Sequence, residues 1–367
     1  MSVKNGSKSS SLYPARVSTR APAIALALCV LLVGCTGSPG VPPAAPTPSP
    51  AIRAALESYL ADLEKADEFS GVVLLAKDFV PFATKATGFA DAARGVPNAT
   101  GTSFNVSSIT KLFTAVAIGE LVDQGKVSLD DPLTKYLPSY PKPTGDRITI
   151  AMLLGHTAGT GDYLNDPGYP RVRDSFDTVD ELIAAVNVGV PAGTVPGAAY
   201  KYSNTGYLLL GAVIEKASGR DYYDYVTEAV LQRAGIAGGF LPNTEDERTL
   251  RGYALGYRPD GTTNWKILPA RGTPAGGAYA SAPDLLAFHR ALANGLLVKP
   301  ETLRKLVLQP APAGKSALPI TSAVFAGDDV GASAVFGMSD KGYTVVVLAN
   351  ITGQAQPVAD RILKLLP

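Results

Sequence analysis

A chain of 367 residues can fill one large domain or two interleaved ones. With 46% hydrophobic and 18% charged residues, it has the composition of a globular interior under a moderately polar surface. The formal net charge is +1 and no basic run or aromatic-basic stripe occurs, which argues against nucleic acid as a partner.

Residues 1–20 carry Lys4, Lys8, Arg16 and Arg20 and no acid, and Ala21 to Val33 is an apolar run too short to span a bilayer stably. Together they predict the charged and apolar regions of an export signal over 1–34. The run ends Leu32-Val33-Gly34-Cys35, which resembles a bacterial lipobox, so Cys35 is the expected lipidation site. The only other cysteine, Cys29, lies inside the signal, so no disulfide is expected in an otherwise oxidising compartment. Residues 36–50, TGSPGVPPAAPTPSP, predict an extended tether after the lipidated residue. The expectation is an exported protein, lipid-anchored to the cell envelope, with its folded domain over 51–367.

Within that domain, Ile52, Leu56, Leu60 and Leu63 have helical spacing. Gly71–Lys77 and Phe79–Phe89 read as strands joined near Asp78. A helix is predicted from Ser107 or Ser108 to Gly125, with Ile109, Leu112, Phe113, Val116 and Leu121 on one face. Residues 130–270 alternate helical stretches with loops rich in Pro, Gly and Tyr. Helices are predicted over Thr205–Ser218 and Ala282–Asn294. Ile320–Ala326, Ala332–Met338 and Tyr343–Asn350 read as strands, and Pro357–Leu366 as a closing helix. Strands at both ends and helices between them predict an α+β fold. One antiparallel sheet would be built from the N- and C-terminal strands, with a mostly helical part inserted over about 112–270. The cleft between the two is the expected site.

Ser108-Ile109-Thr110-Lys111 puts a hydroxyl and an amine one helical turn apart on the same face. A serine needs a base to become a nucleophile, and a lysine whose pKa is lowered by burial can serve. The N–H of a serine at a helix start also points where an oxyanion would develop. Read alone, an N-cap serine and a solvated lysine are the more economical account. A second such spacing, Ser139-Tyr140-Pro141-Lys142, contains a proline that opposes a regular helix.

The longer segments are more specific. FNVSSITKLFTAVAIGELVDQGKVSLDDPLTKYLP, ITIAMLLGHTAGTGDY, PGAAYKYSNTGYLLLGAVIEKASG, GGAYASAPDLLAFHRALANGLL and GYTVVVLAN occur in that order. In that order they resemble the serine β-lactamase and D-alanyl-D-alanine carboxypeptidase superfamily, which includes class C β-lactamases and esterases. The resemblance covers roughly residues 52–353. It implies the β-lactamase/transpeptidase fold and a serine hydrolase working through an acyl-enzyme on a small-molecule or peptide acyl substrate. Ser108 would be the nucleophile and Lys111 its partner. Tyr202-Ser203-Asn204 matches the family's second motif, so Tyr202 would relay protons, and Asn204 would orient Lys111 and meet the substrate amide. Tyr163-Leu164-Asn165 is a competing match for that motif.

The third family motif, a basic residue two before a glycine, departs here. Phe325-Ala326-Gly327 stands at its place, with Phe325 for the basic residue and Gly327 for the glycine, so the resemblance puts Phe325, Gly327 and Asp328 at the substrate. Lys315-Ser316-Ala317 lies about ten residues too early. A second oxyanion N–H is expected near Gly327 or Asp328. The alternative is a catalytically impaired relative that binds peptidoglycan fragments or a protein partner. No cofactor is implied, since acyl transfer needs none. No metal motif is present; His156 and His289 read as structural, and Asp328-Asp329 as a turn at a strand end.

Overall fold

The computed structural model describes residues 48–66, 68–241, 252–258, 260–306, 308 and 320–367. The predicted signal, Cys35, nearly all of the tether and Lys315-Ser316-Ala317 lie outside the described residues. The first helix, α1 (Pro50–Ala66), precedes strands β1 (Gly71–Lys77) and β2 (Val80–Thr87). Helices α2 (Thr110–Asp123), α3 (Asn204–Ser218) and α4 (Ala282–Ala293) follow, among shorter turns. Strands β3 (Val324–Asp329), β4 (Ala332–Met338) and β5 (Tyr343–Ala349) and helix α5 (Ala355–Leu365) close the fold.

The five strands form one antiparallel sheet in the order β2-β1-β5-β4-β3. Strand β1 pairs with β5 from Gly71 opposite Ala349 to Lys77 opposite Tyr343, so the two ends of the domain meet at the centre of the sheet. The unbroken apolar runs of β1 and β5 follow from burial on both faces. Val73, Leu75, Val345 and Val347 face α1 and α5, with Leu56, Leu60, Val358 and Ile362. Val72, Leu74, Val346, Leu348 and Phe336 face the opposite way, into the larger core with the helical part.

Helix α2 is buried on nearly every side, from Thr110 through Gly119. A helix apolar all round belongs in the middle of a domain. Phe113 meets Phe288 of α4 edge to face at 5.1 Å, and the Thr114 hydroxyl bonds the Tyr222 hydroxyl (2.8 Å) and donates to the Pro274 carbonyl (2.7 Å). Tyr222, Tyr223 and Tyr225 are accordingly core residues.

Three boundaries depart from the sequence pattern. The run 79–89 is broken at Gly88, whose φ of +69° ends β2 and starts a separate short strand, Phe89–Asp91. Residues 320–322 form a helical turn, and β3 begins at Val324 and runs on to Asp329, so Asp328 and Asp329 are paired strand residues opposite Ser333 and Ala332. The helix at Ser107 opens with a tighter turn over Ser107–Ile109 before α2 begins.

Phe336 is fully buried between sheet and helical part, 6.4 Å from the Phe288 ring centroid. Phe336→Ala leaves a cavity there and is expected to cost about 3–5 kcal/mol, measured as a lower midpoint in urea unfolding.

Candidate active site

The nucleophile turn follows a short strand, Ser103–Asn105, that pairs with Tyr279–Ser281. Ser107 then takes φ +47°, a left-handed conformation that L-residues adopt at some cost. The Asn105 side chain holds this kink by accepting the Ser107 N–H at 2.8 Å. The reversal sets Ser108 at the tip of the turn, at the head of α2. Strand β3 approaches from the other side. A Cβ on Gly327 would stand 2.6 Å from the Ser108 nitrogen and 2.9 Å from the Ser107 Cβ, so only glycine permits this contact.

Lys111, one turn on, is buried with only 5% of its surface exposed. Its Nζ lies 3.1 Å from Ser108 Oγ and donates to Asn204 Oδ1 (2.8 Å) and to the carbonyl of Ala275. Burial pulls its pKa down to about 7, against the opposing pull of the Asp162 carboxylate. A neutral amine has two hydrogens and one lone pair. Asn204 Oδ1 and the Ala275 carbonyl take the two hydrogens, which leaves the lone pair for the Ser108 hydroxyl.

Tyr202 Oη donates to Ser108 Oγ at 2.7 Å, and the Lys111 Nζ lies 4.9 Å from the Tyr202 ring centroid. Burial raises the Tyr202 pKa, so the phenol stays protonated at neutral pH. Asn204 is the first residue of α3; the preceding Ser203 is its N-cap and accepts the Gly206 N–H. Asn204 is thereby free to use its side chain on Lys111. Its Nδ2 donates to both oxygens of Asp162 (3.1 and 3.0 Å), which fixes the amide so that Oδ1 faces the amine. The competing Tyr163 also lines the adjoining cleft, but it is buried and its hydroxyl is spent 3.0 Å from that of Thr273.

These groups open on a cleft of roughly 520 Å³ lined by Ser108, Tyr202, Asn204, Tyr169, Trp265 and Asp328, among others. The beta-lactamase family model matches residues 56–366. The chain belongs to the beta-lactamase family. It is 30% identical over 222 residues to penicillin-binding protein 4* of Bacillus subtilis (strain 168), covering 59% of this chain and 48% of that one. It is also 30% identical over 243 residues to the putative penicillin-binding protein PbpX of the same strain, covering 65% and 58%. The chain thus spans about half the length of the curated relatives it matches. A penicillin-binding protein from Bacillus halodurans superimposes with a TM-score of 0.72 at 30% identity, over 84% of this chain and all of that one.

The third motif of the resemblance is where this chain departs from the expected pattern. Phe325 is half-buried and packs against the inner core, opposite Phe336, so no cation stands at that position. Asp328 turns its carboxylate away to accept the Gly353 N–H (3.1 Å). Its backbone serves the cleft instead. The bond from Met338 N–H to the Ala323 carbonyl sets which β3 residues bond β4, and by alternation the Asp328 N–H points off the free edge. It lies one residue on from the Gly327 contact with Ser108, where a second oxyanion N–H is expected.

Two contributors escaped the sequence reading. The Ala275 carbonyl carries no side-chain signal. Asp162 is visible in the GTGDY segment, but nothing local couples it to Asn204, 42 residues on. His156, read as structural, has a defined positioning task. Its φ is +57°, and its Nδ1 accepts the Ser203 N–H at 3.1 Å while its carbonyl accepts the Lys201 N–H at 2.8 Å. Its ring stacks on Tyr202 with centroids 4.5 Å apart. Burial and the nearby Lys111 hold its pKa down to about 4, so it stays neutral and Nδ1 remains an acceptor. His289 is distant from this chemistry, bonded to the Thr344 hydroxyl at 2.8 Å.

Because only the neutral amine can take the Ser108 proton, the rate of fluorophosphonate labelling should rise with pH through about 7 and level off above it. A flat profile between pH 5 and 9 would contradict Lys111 as the base. His156→Phe keeps an aromatic stack but leaves the Ser203 N–H unpaired; labelling is expected to slow by about 100-fold. His156→Asn offers an acceptor and tolerates positive φ, and should recover part of the rate in the same assay.

Proposed function

We propose that this protein is a serine hydrolase that cleaves acyl esters or amides through an acyl-enzyme on Ser108. The observation that carries the reading is the sharing of one hydroxyl, Ser108 Oγ, between the buried Lys111 amine at 3.1 Å and the Tyr202 phenol at 2.7 Å. Lys111 takes the hydroxyl proton as Oγ attacks the substrate carbonyl. The Ser108 and Asp328 N–H groups receive the developing oxyanion. Tyr202, hydrogen-bonded to the reacting oxygen, passes a proton to the leaving group. Water then attacks the acyl-enzyme, with Lys111 and Tyr202 handling protons in reverse, and the acid product leaves. Membership of a family that contains penicillin-binding relatives supports the same reading.

The substrate class follows from Phe325. Without a cation beside Gly327, β-lactam or D-alanyl carboxylates have no partner there, so neutral acyl groups are favoured over carboxylate-bearing ones. We further propose that the domain works outside the cytoplasm on a lipid anchor at Cys35, a reading supported by the Leu32-Val33-Gly34-Cys35 sequence and the proline-rich stretch after it.

Intact mass of the purified domain after a fluorophosphonate and, separately, a penicillin tests the activity. The expected result is a stable fluorophosphonate adduct, absent in Ser108→Ala, with slower or no penicilloylation. No adduct from either probe in the folded protein would favour a binding role; faster penicillin acylation would overturn the substrate preference.

A further inference from the structure

Side chains of Phe325, Gly327 and Asp329 alternate onto one face of β3, and Gly327 fixes that face as the nucleophile's. Asp329 therefore projects from the cleft wall two residues beyond the Ser108 contact, roughly 7 Å along the strand. It lines the same cleft as Tyr169, Trp265, Leu268 and Tyr279; burial raises the pKa of the Tyr169 and Tyr279 hydroxyls, and the Asp329 charge raises it further. Its side chain is open to the cleft, yet protein atoms crowd it enough for lost hydration to raise its pKa.

The charges around it are arranged unequally. Arg173, on the same cleft, is held by Asp174 through two contacts of 2.5 and 2.9 Å. Arg271 lies 3.5 Å over the Tyr223 ring and donates to the Asp177 carbonyl. Asp328 is engaged by the Gly353 N–H. Among the described residues the Asp329 carboxylate accepts only the adjacent Val330 N–H, at 2.7 Å, and no cation stands within ion-pair distance of it. The wall that carries a cation in relatives of the resembled kind thus carries, in this chain, a phenylalanine turned to the core and an unneutralised carboxylate facing the ligand space. A substrate carboxylate would meet like charge there. An ammonium would meet an opposite charge in a cleft whose lining includes the aromatic rings of Tyr169, Trp265 and Tyr279, a setting that favours cations.

We propose that Asp329 is a specificity residue that recognises an ammonium group on the substrate, so that the preferred substrates are aminoacyl esters or amides with a free amine within one residue of the scissile carbonyl. This rests on the hydrolase reading above and adds the charge of the substrate to it.

The test compares kcat/KM for three alanine p-nitrophenyl esters, with free amine, N-acetyl and N-succinyl groups, each corrected for spontaneous hydrolysis. Fluorophosphonate labelling of every variant reports whether the nucleophile is assembled. Intrinsic reactivity differs among the esters, so the quantity that decides is the change in their ratio between wild type and variant. The free-amine to N-acetyl ratio is expected to fall about 10-fold or more in Asp329→Asn, and Asp329→Lys should shift preference toward the N-succinyl ester. An unchanged ratio in both variants, with labelling retained, overturns the assignment of Asp329 and leaves the hydrolase reading standing. If wild type neither labels nor hydrolyses any ester, the hydrolase reading falls and this inference falls with it.

Discussion

The site is organised around the burial of one amine. Lys111 sits on a helix with core on nearly every side, and taking its ammonium out of water is what brings its pKa near neutrality. That burial is tolerable only because each polar direction of Nζ is met. Asn204 Oδ1 and the Ala275 carbonyl come from elements 93 and 164 residues away, so the start of α3 and the loop before Tyr279 must both reach the same point. Asp162 locks Asn204 from behind. Lost alignment at any of these would leave a polar direction of the buried amine unmet and turn its lone pair away from Ser108.

A second constraint is backbone contact between the nucleophile turn and the edge of the sheet. Ser107 is held in a left-handed conformation so that Ser108 faces β3, and Gly327 omits a side chain so that β3 can come that close. Edge strands expose half of their N–H groups. Here the exposed Asp328 N–H is one residue from the Gly327 contact with Ser108, so a feature that is otherwise an aggregation hazard stands where the proposed reaction would use a donor. The pairing of β1 with β5 holds the sheet together across the whole chain, and the position of its β3 edge relative to α2 depends on that pairing.

The sequence was most readable where local pattern and burial agree. The runs of β1, β4 and β5 and the helix closed by Gly219 appear at nearly their observed limits, because two-sided burial and a left-handed cap leave plain marks. Ser108, Lys111, Tyr202 and Asn204 could be named because their flanking segments resemble a known family, and the fold brings all four within hydrogen-bond range. The beginning of β3 was misplaced because Ile320, Val324 and Phe325 look equally strand-like, while the chain turns over Ile320–Ser322 and pairs with β4 only from Val324. Phe325 was expected at the substrate, yet it packs into the core, since a strand residue opposite Phe336 has apolar surface to cover. Ala275 was invisible because a backbone carbonyl has no letter of its own. The role of His156 was hidden because it acts through the backbone of residue 203 and the ring of Tyr202.

The replacement of a basic residue by Phe325 separates two tasks that one cation can perform together. A cation near the nucleophile attracts carboxylates, and it also discourages Lys111 from holding a proton. Only the first task is lost with it. Burial is the leading cause of the lowered Lys111 pKa, and the nearest influential charge, Asp162, acts in the opposite direction. Nucleophile activation therefore needs no help from a neighbouring cation. The acidic side chain on the nucleophile's face of β3, Asp329, lines the same cleft. Substrate selection can thus change sign through residues on one edge strand while the Ser–Lys–Tyr arrangement, held by α2, α3 and the loop through Ala275, stays as it is.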